Sequence, residues 1–273
     1  MTTLQKLIAT GIIVVLGFIF GCKQPEIKKI VGKYDNGNPK FLIYFHSKTD
    51  TTSYRKEMYY ESGKISYVGN FVHDIKDGVW TWWYENGQIK DKCKYKDGFY
   101  ADTVYHWYKN GKPSSLEIVA NRTAKIDECN DCNGTIIRYY ENGQMSEKFT
   151  AVNSAYVDSA KTWFENGKLQ SVGFYANGKR EGTRKQFEEN GSYKIENYKA
   201  DSLWGKYIEH IVDSNNTQTI VGQFVNGKPI GIWDLFDKDS VKFQTEFYDS
   251  LSPIKVLYER KSSSPSYMLR VRQ

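Results

Sequence analysis

The apolar positions of this chain recur in a fixed relation to one polar tripeptide. It appears as Asp35-Asn36-Gly37, Glu61-Ser62-Gly63, Glu85-Asn86-Gly87, Lys109-Asn110-Gly111, Glu141-Asn142-Gly143, Glu165-Asn166-Gly167 and Glu189-Asn190-Gly191. Aromatic pairs stand just before it: Tyr59-Tyr60, Trp83-Tyr84, Trp107-Tyr108, Tyr139-Tyr140 and Trp163-Phe164. An apolar residue follows two places after the glycine at Ile65, Ile89, Met145 and Leu169. Asn-Gly between apolar runs predicts a tight hairpin turn, because both residues tolerate positive φ. From Gly63 onward the glycines are spaced 24, 24, 32, 24 and 24 residues apart, after a first interval of 26.

A second mark lies nine residues before these glycines, at Gly78, Asp102, Gly134, Asp158 and Gly182. Only Gly and Asp occupy it, which fits a backbone position that strains an ordinary side chain. Four residues earlier still stand Asp74, Gly98, Ser154 and Gly178. Each unit therefore reads as strand, tight turn, strand, looser turn, with strands of about six residues. Asp213-Ser214-Asn215 and Lys238-Asp239-Ser240 fall where the same period places further turns. About nine units over residues 31–250 follow, an all-β antiparallel hairpin meander in one extended or curved sheet. Residues 251–273 are left as a C-terminal tail or cap, the kind of end unit that repeat arrays need.

Composition agrees. Tyr, Phe and Trp make up 15% of the 273 residues while the mean hydropathy is −0.63. Aromatics at that density in a polar chain suit a thin sheet. The net charge of +6 is spread along the chain without a compact Lys/Arg run, which argues against a nucleic-acid partner. A transmembrane β-barrel needs strands of about ten residues with an apolar outer face, and these strands carry Lys and Glu freely.

Residues 1–22 break the pattern. Lys6 precedes an apolar run from Leu7 to Phe20, too short for the roughly 20 residues that span a bilayer and suited to a signal peptide. The run ends in Ile19-Phe20-Gly21-Cys22, which resembles the lipobox of bacterial lipoproteins. That resemblance implies a lipid on Cys22, cleavage before it and a membrane anchor, with residues 23–30 as a polar tether. Phe20 is bulkier than the usual small residue there. Lys23 lacks the Asp that marks inner-membrane retention, so the expected address is the outer membrane of a Gram-negative bacterium.

The stretch Gly78-Val79-Trp80-Thr81-Trp82-Trp83-Tyr84-Glu85-Asn86-Gly87-Gln88-Ile89 also carries a resemblance. It is similar to the MORN-repeat variant of bacterial antitoxin-component proteins of the YwqK type. The resemblance covers roughly residues 34–248. It implies a hairpin scaffold and little about chemistry, since function sits in sites grafted on folds.

The candidate sites are few. Tyr59, Trp83, Trp107, Tyr139 and Trp163 are equivalent from unit to unit. They form either a ladder able to grip a ligand or simply the core of a thin sheet, with the core favoured. The turn glutamates Glu61, Glu85, Glu141, Glu165 and Glu189 recur at one turn position, whereas an acid–base pair occurs once in unequal surroundings. Cys129 and Cys132 sit in the eight-residue excess of the 32-residue interval. A small loop disulfide, free thiols and a zinc site stay open for them. No local signature of a Ser/His/Asp set, a phosphate loop or a cofactor fingerprint is present. The expected protein is a lipid-anchored, exported, non-catalytic binding or scaffold module without cofactor, facing a protein or envelope partner. An antitoxin or immunity role is its rival.

Overall fold

The computed structural model describes residues 27–119, 133–214, 217–249 and 252–259. Cys22, Cys129 and Cys132 lie outside them. Twenty-one strands and no helix occur among the described residues. Successive full strands pair antiparallel, from Ile27–Lys33 at one edge to Ser252–Glu259 at the other, and two short arms pair only with the strand before them, so the sheet is a single open meander. Two arms, Phe99–Tyr100 and Ser202–Leu203, are only two residues long. The full strands run mostly to seven to nine residues, longer than the six expected. The first strand opens at Ile27, inside the segment read as tether, and the last lies in the segment read as tail.

The two turns have exchanged the characters that the sequence suggested. At the Asn-Gly turns only the glycine has positive φ: Gly37 +85°, Gly63 +80°, Gly87 +89°, Gly111 +82°, Gly143 +92°, Gly167 +81° and Gly191 +94°. The Gly87 amide donates to the Tyr84 carbonyl at 2.8 Å, and the Tyr84 amide to the Gln88 carbonyl at 2.8 Å. This is a three-residue loop, a type I turn closed by a left-handed glycine and a bulge. The register slips accordingly between Trp82 and Trp83. The tight two-residue turns are the other set. Both central residues have positive φ at His73-Asp74 (52°, 60°), Asn177-Gly178 (51°, 78°) and Asn226-Gly227 (52°, 75°). That is the type I′ geometry whose twist matches the flanking strands.

The second mark is a backbone kink at most of its positions. Gly78 (+72°), Asp158 (+63°) and Gly182 (+70°) are left-handed, and the register jumps beside each, from Val68–Thr81 to Asn70–Asp77 in the first case. Asp102 is not left-handed.

The kink places one large side chain over a small one across each strand pair. A Cβ built on Gly69 would meet the Trp80 ring at 2.1 Å, and one on Gly222 the Trp233 ring at 2.2 Å. The indole covers bare backbone, which only glycine permits. In the equivalent pair 149/160 the sizes are reversed, with Phe149 buried and Ala160 packed against its cluster. Buried side chains form three clusters: Trp80, Cys93, Tyr95 and Val104; Ile136, Phe149 and Ala151; Tyr207, Ile220 and Trp233. All sit on one face, since cross-strand partners share a side of the pleat.

Candidate functional site

The clustered face also carries a file of polar side chains, one per strand. It runs Asp91, His106, Ser115, Arg138, Glu147, Thr162, Ser171, Gln186, Lys194 and Glu209, each the register partner of the next. Beyond Asp91 the same row continues as Trp82 and Tyr67, and beyond Glu209 as Ile220 and Leu235. The polar file thus bridges the outer apolar clusters, and its members pair among themselves. His106 Nδ1 lies 2.6 Å from Asp91 Oδ1, Thr162 Oγ1 2.7 Å from Ser171 Oγ, and Lys194 Nζ 3.1 Å from Glu209 Oε1. Arg138 donates to Glu147.

Asp91, His106 and Ser115 stand side by side on three strands, an arrangement the linear sequence hides. It is not a nucleophilic triad. Ser115 makes no hydrogen bond to His106, whose Nε2 instead faces Glu117 Oε1 at 3.8 Å. A triad needs the base in contact with its nucleophile, and donors for the oxyanion beside it. Among the described residues no cluster of three or more His, Cys, Asp or Glu could hold a metal ion. Cys93 is a free, buried thiol, and burial pushes its pKa up to about 11. A reactive thiol would need the opposite shift.

Tyr59, Trp83, Trp107, Tyr139 and Trp163 do occupy equivalent places, all half-buried. They are not the deepest part of the core, which lies at Tyr95, Trp80 and Ala151. No ring contact joins successive members; Trp107 stacks on Tyr105 at 5.9 Å. What unites the five is their carbonyl oxygens. Each accepts the hydroxyl of the tyrosine from the preceding turn: Tyr34 to Tyr59 (2.9 Å), Tyr60 to Trp83 (2.8 Å), Tyr84 to Trp107 (2.8 Å), Tyr108 to Tyr139 (2.6 Å) and Tyr140 to Trp163 (2.8 Å).

This tyrosine spine escaped sequence reasoning, which fixed on the first aromatic of each pair. The second was the more informative, being Tyr rather than Phe in unit after unit. The turn asparagines run a parallel line of bonds. Asn86 Oδ1 accepts from the Gln88 amide at 3.0 Å, while its Nδ2 donates to the Lys109 carbonyl of the next turn at 2.8 Å. Asn142 reaches Glu165 in the same way at 2.8 Å. So the Glu-Asn-Gly motif locks one unit to the next as well as turning the chain.

The spine stops at Phe164, which has no hydroxyl, and at the following turn its place is taken by the exposed Glu188. The turn itself is unchanged there: Glu188 and Gly191 make the same two backbone bonds as Tyr84 and Gly87. Against that turn lies an open hollow of about 860 Å³. Phe164, Phe187 and Tyr193 line it together with Gln186, Lys194 and Glu209 of the polar file. Tyr193 stacks on His210 at 5.0 Å.

No curated protein matches the chain. The sequence profile of the MORN repeat variant matches it at residues 55–73, 76–97, 133–153 and 159–179. Each matched segment contains one of the tight two-residue turns or ends beside it. The four matches fall on hairpins of one antiparallel meander, so these segments are similar to the MORN repeat variant.

Proposed function

We propose that this chain is a non-catalytic protein-binding scaffold, exported and held to a membrane through a lipid on Cys22. The observation that supports the binding role most directly is the open face of the sheet. It offers half-buried aromatics and a polar file across ten strands, and several titratable groups of the file are paired with one another. A long, regular surface of this kind suits recognition of an extended partner, as in other repeat proteins. The anchor rests on the sequence at Leu7–Phe20 and Cys22.

The test compares the native chain with Cys22→Ala. Membranes are crosslinked and partners captured with each form and with a charge-reversed Arg138→Glu, Lys194→Glu variant. Expected is release of Cys22→Ala from the membrane fraction, the same partner on both forms, and at least a roughly tenfold weaker capture by the charge-reversed protein. Retention of Cys22→Ala in the membrane would sink the anchor. Capture untouched by the charge reversal would sink the assigned face. One tight partner encoded beside this chain, whose toxicity the chain suppresses, would make the scaffold a neutralising antitoxin.

A further inference from the structure

We infer that the hollow beside Glu188 is a docking site for a tyrosine side chain presented by a partner polypeptide. The argument comes from the molecule's own repetition. At five successive turns the chain lays a phenol ring along the turn and gives its hydroxyl to a backbone carbonyl of the next unit, at 2.6–2.9 Å. At the sixth turn Phe164 keeps the ring without the hydroxyl, and at the seventh Glu188 removes the ring. The backbone hydrogen bonds that hold the turn are retained at both. The space that a spine tyrosine would cover is therefore open, and the hollow lies there.

The walls suit the proposed guest. Phe164 and Phe187 line the hollow and supply apolar rings beside which a phenol can pack. The far side is the strand Gly205–Val212, whose Ile211 and Val212 line the hollow; Ile211 lies 23 residues after Glu188, the same step as from Tyr60 to Trp83, Tyr84 to Trp107 and Tyr140 to Trp163. A volume of about 860 Å³ exceeds one ring and leaves room for flanking backbone. Gln186, Lys194 and Glu209 supply donors and acceptors of both signs for that backbone. The site rests on the protein-binding reading and narrows it to one residue type.

The test uses the full-length protein with labelled isoleucine and valine methyl groups. N-acetyl-tyrosine amide and N-acetyl-phenylalanine amide are titrated separately. Expected are saturable shifts of the Ile211 and Val212 methyl signals, with the tyrosine amide bound about fivefold more tightly, the worth of one neutral hydrogen bond. Glu188→Tyr should complete the spine from within, raise Tm and weaken the tyrosine amide at least tenfold. Glu188→Gln, which removes only the charge, should leave binding within about twofold. No saturable shift, equal affinity for the two amides, or binding unchanged in Glu188→Tyr each overturns the proposal. A membrane partner still captured by Glu188→Tyr would locate its contact elsewhere on the face, leaving the broader binding role intact.

Discussion

Two stretches of the sheet with the same turns are held together by different chemistry. Between Tyr59 and Trp107 the core slot holds Trp80 over Gly69, with Cys93, Tyr95 and Val104 packed around the indole, and the tyrosine spine is complete. Between Phe164 and Val212 the equivalent slot holds Arg184 over Gly173, with the Arg184 guanidinium 3.5 Å from buried Glu196. Tyr198 donates to that carboxylate at 2.9 Å, and the spine is absent. Strand pairing and turn geometry are nearly the same in both. The backbone and the asparagine bonds therefore suffice to set the architecture, and packing across the face is free to vary. Where it thins, the surface opens.

The sharpest test of that contrast is to add one methyl group at each slot. Gly69→Ala drives a Cβ to 2.1 Å from a rigid, buried indole. A cost of ~3 kcal/mol is expected, at the upper end for overpacking. Gly173→Ala meets Arg184 Cγ at 3.2 Å, a flexible chain that can give way, so less than ~1 kcal/mol is expected. Urea unfolding followed by tryptophan fluorescence reads both. Equal costs would mean the polar slot is as tightly filled as the apolar one. A Trp80→Ala, Gly69→Ala double variant should fall well short of the summed single costs, because the two sites share one contact.

Opposite signs are expected along the spine. Tyr84→Phe removes the hydroxyl that reaches Trp107, at a cost of ~1 kcal/mol. Phe164→Tyr extends the spine by one step and should stabilise by a smaller amount, seen as a rise in Tm. A Phe164→Tyr protein no more stable than the parent would show that the break is not a missing bond. By contrast, Asn86→Ala and Asn190→Ala should each cost ~1 kcal/mol. Both asparagines bond the following unit, Asn86 to Lys109 at 2.8 Å and Asn190 to Val212 at 3.0 Å, so this line of bonds does not distinguish the two stretches.

The sequence displayed the period, the turn glycines and the all-β class, because each rests on a local rule that repeats. It misled on which turn was tight. Asn-Gly reads as a two-residue turn, yet the preceding acidic residue and the aromatic carbonyl close a three-residue loop at Tyr84–Gly87. The Trp80–Gly69 slot was hidden because its halves lie eleven residues apart across a register jump. The polar file, including Asp91, His106 and Ser115, exists only once strands are in register. The hollow was hardest to read, since it is marked by what Glu188 lacks.

The last expected effect belongs to Cys93, and its change is confined to alkaline pH. The thiol lies in the Trp80 cluster as the cross-strand partner of the indole, whereas the partner of Arg184 in the polar stretch is Glu196. Burial raises the Cys93 pKa from an ordinary value near 9 to about 11. The folded state thus favours the neutral thiol. Its contribution is fully present below pH 9 and is lost as pH rises from 9 through about 11. Expected is a stability difference between the parent and Cys93→Ala that is flat up to pH 9 and then shrinks toward pH 11, measured by urea unfolding at each pH. A difference independent of pH across that window would mean the thiol is solvated, and that the apolar slot is as open to water as the polar one.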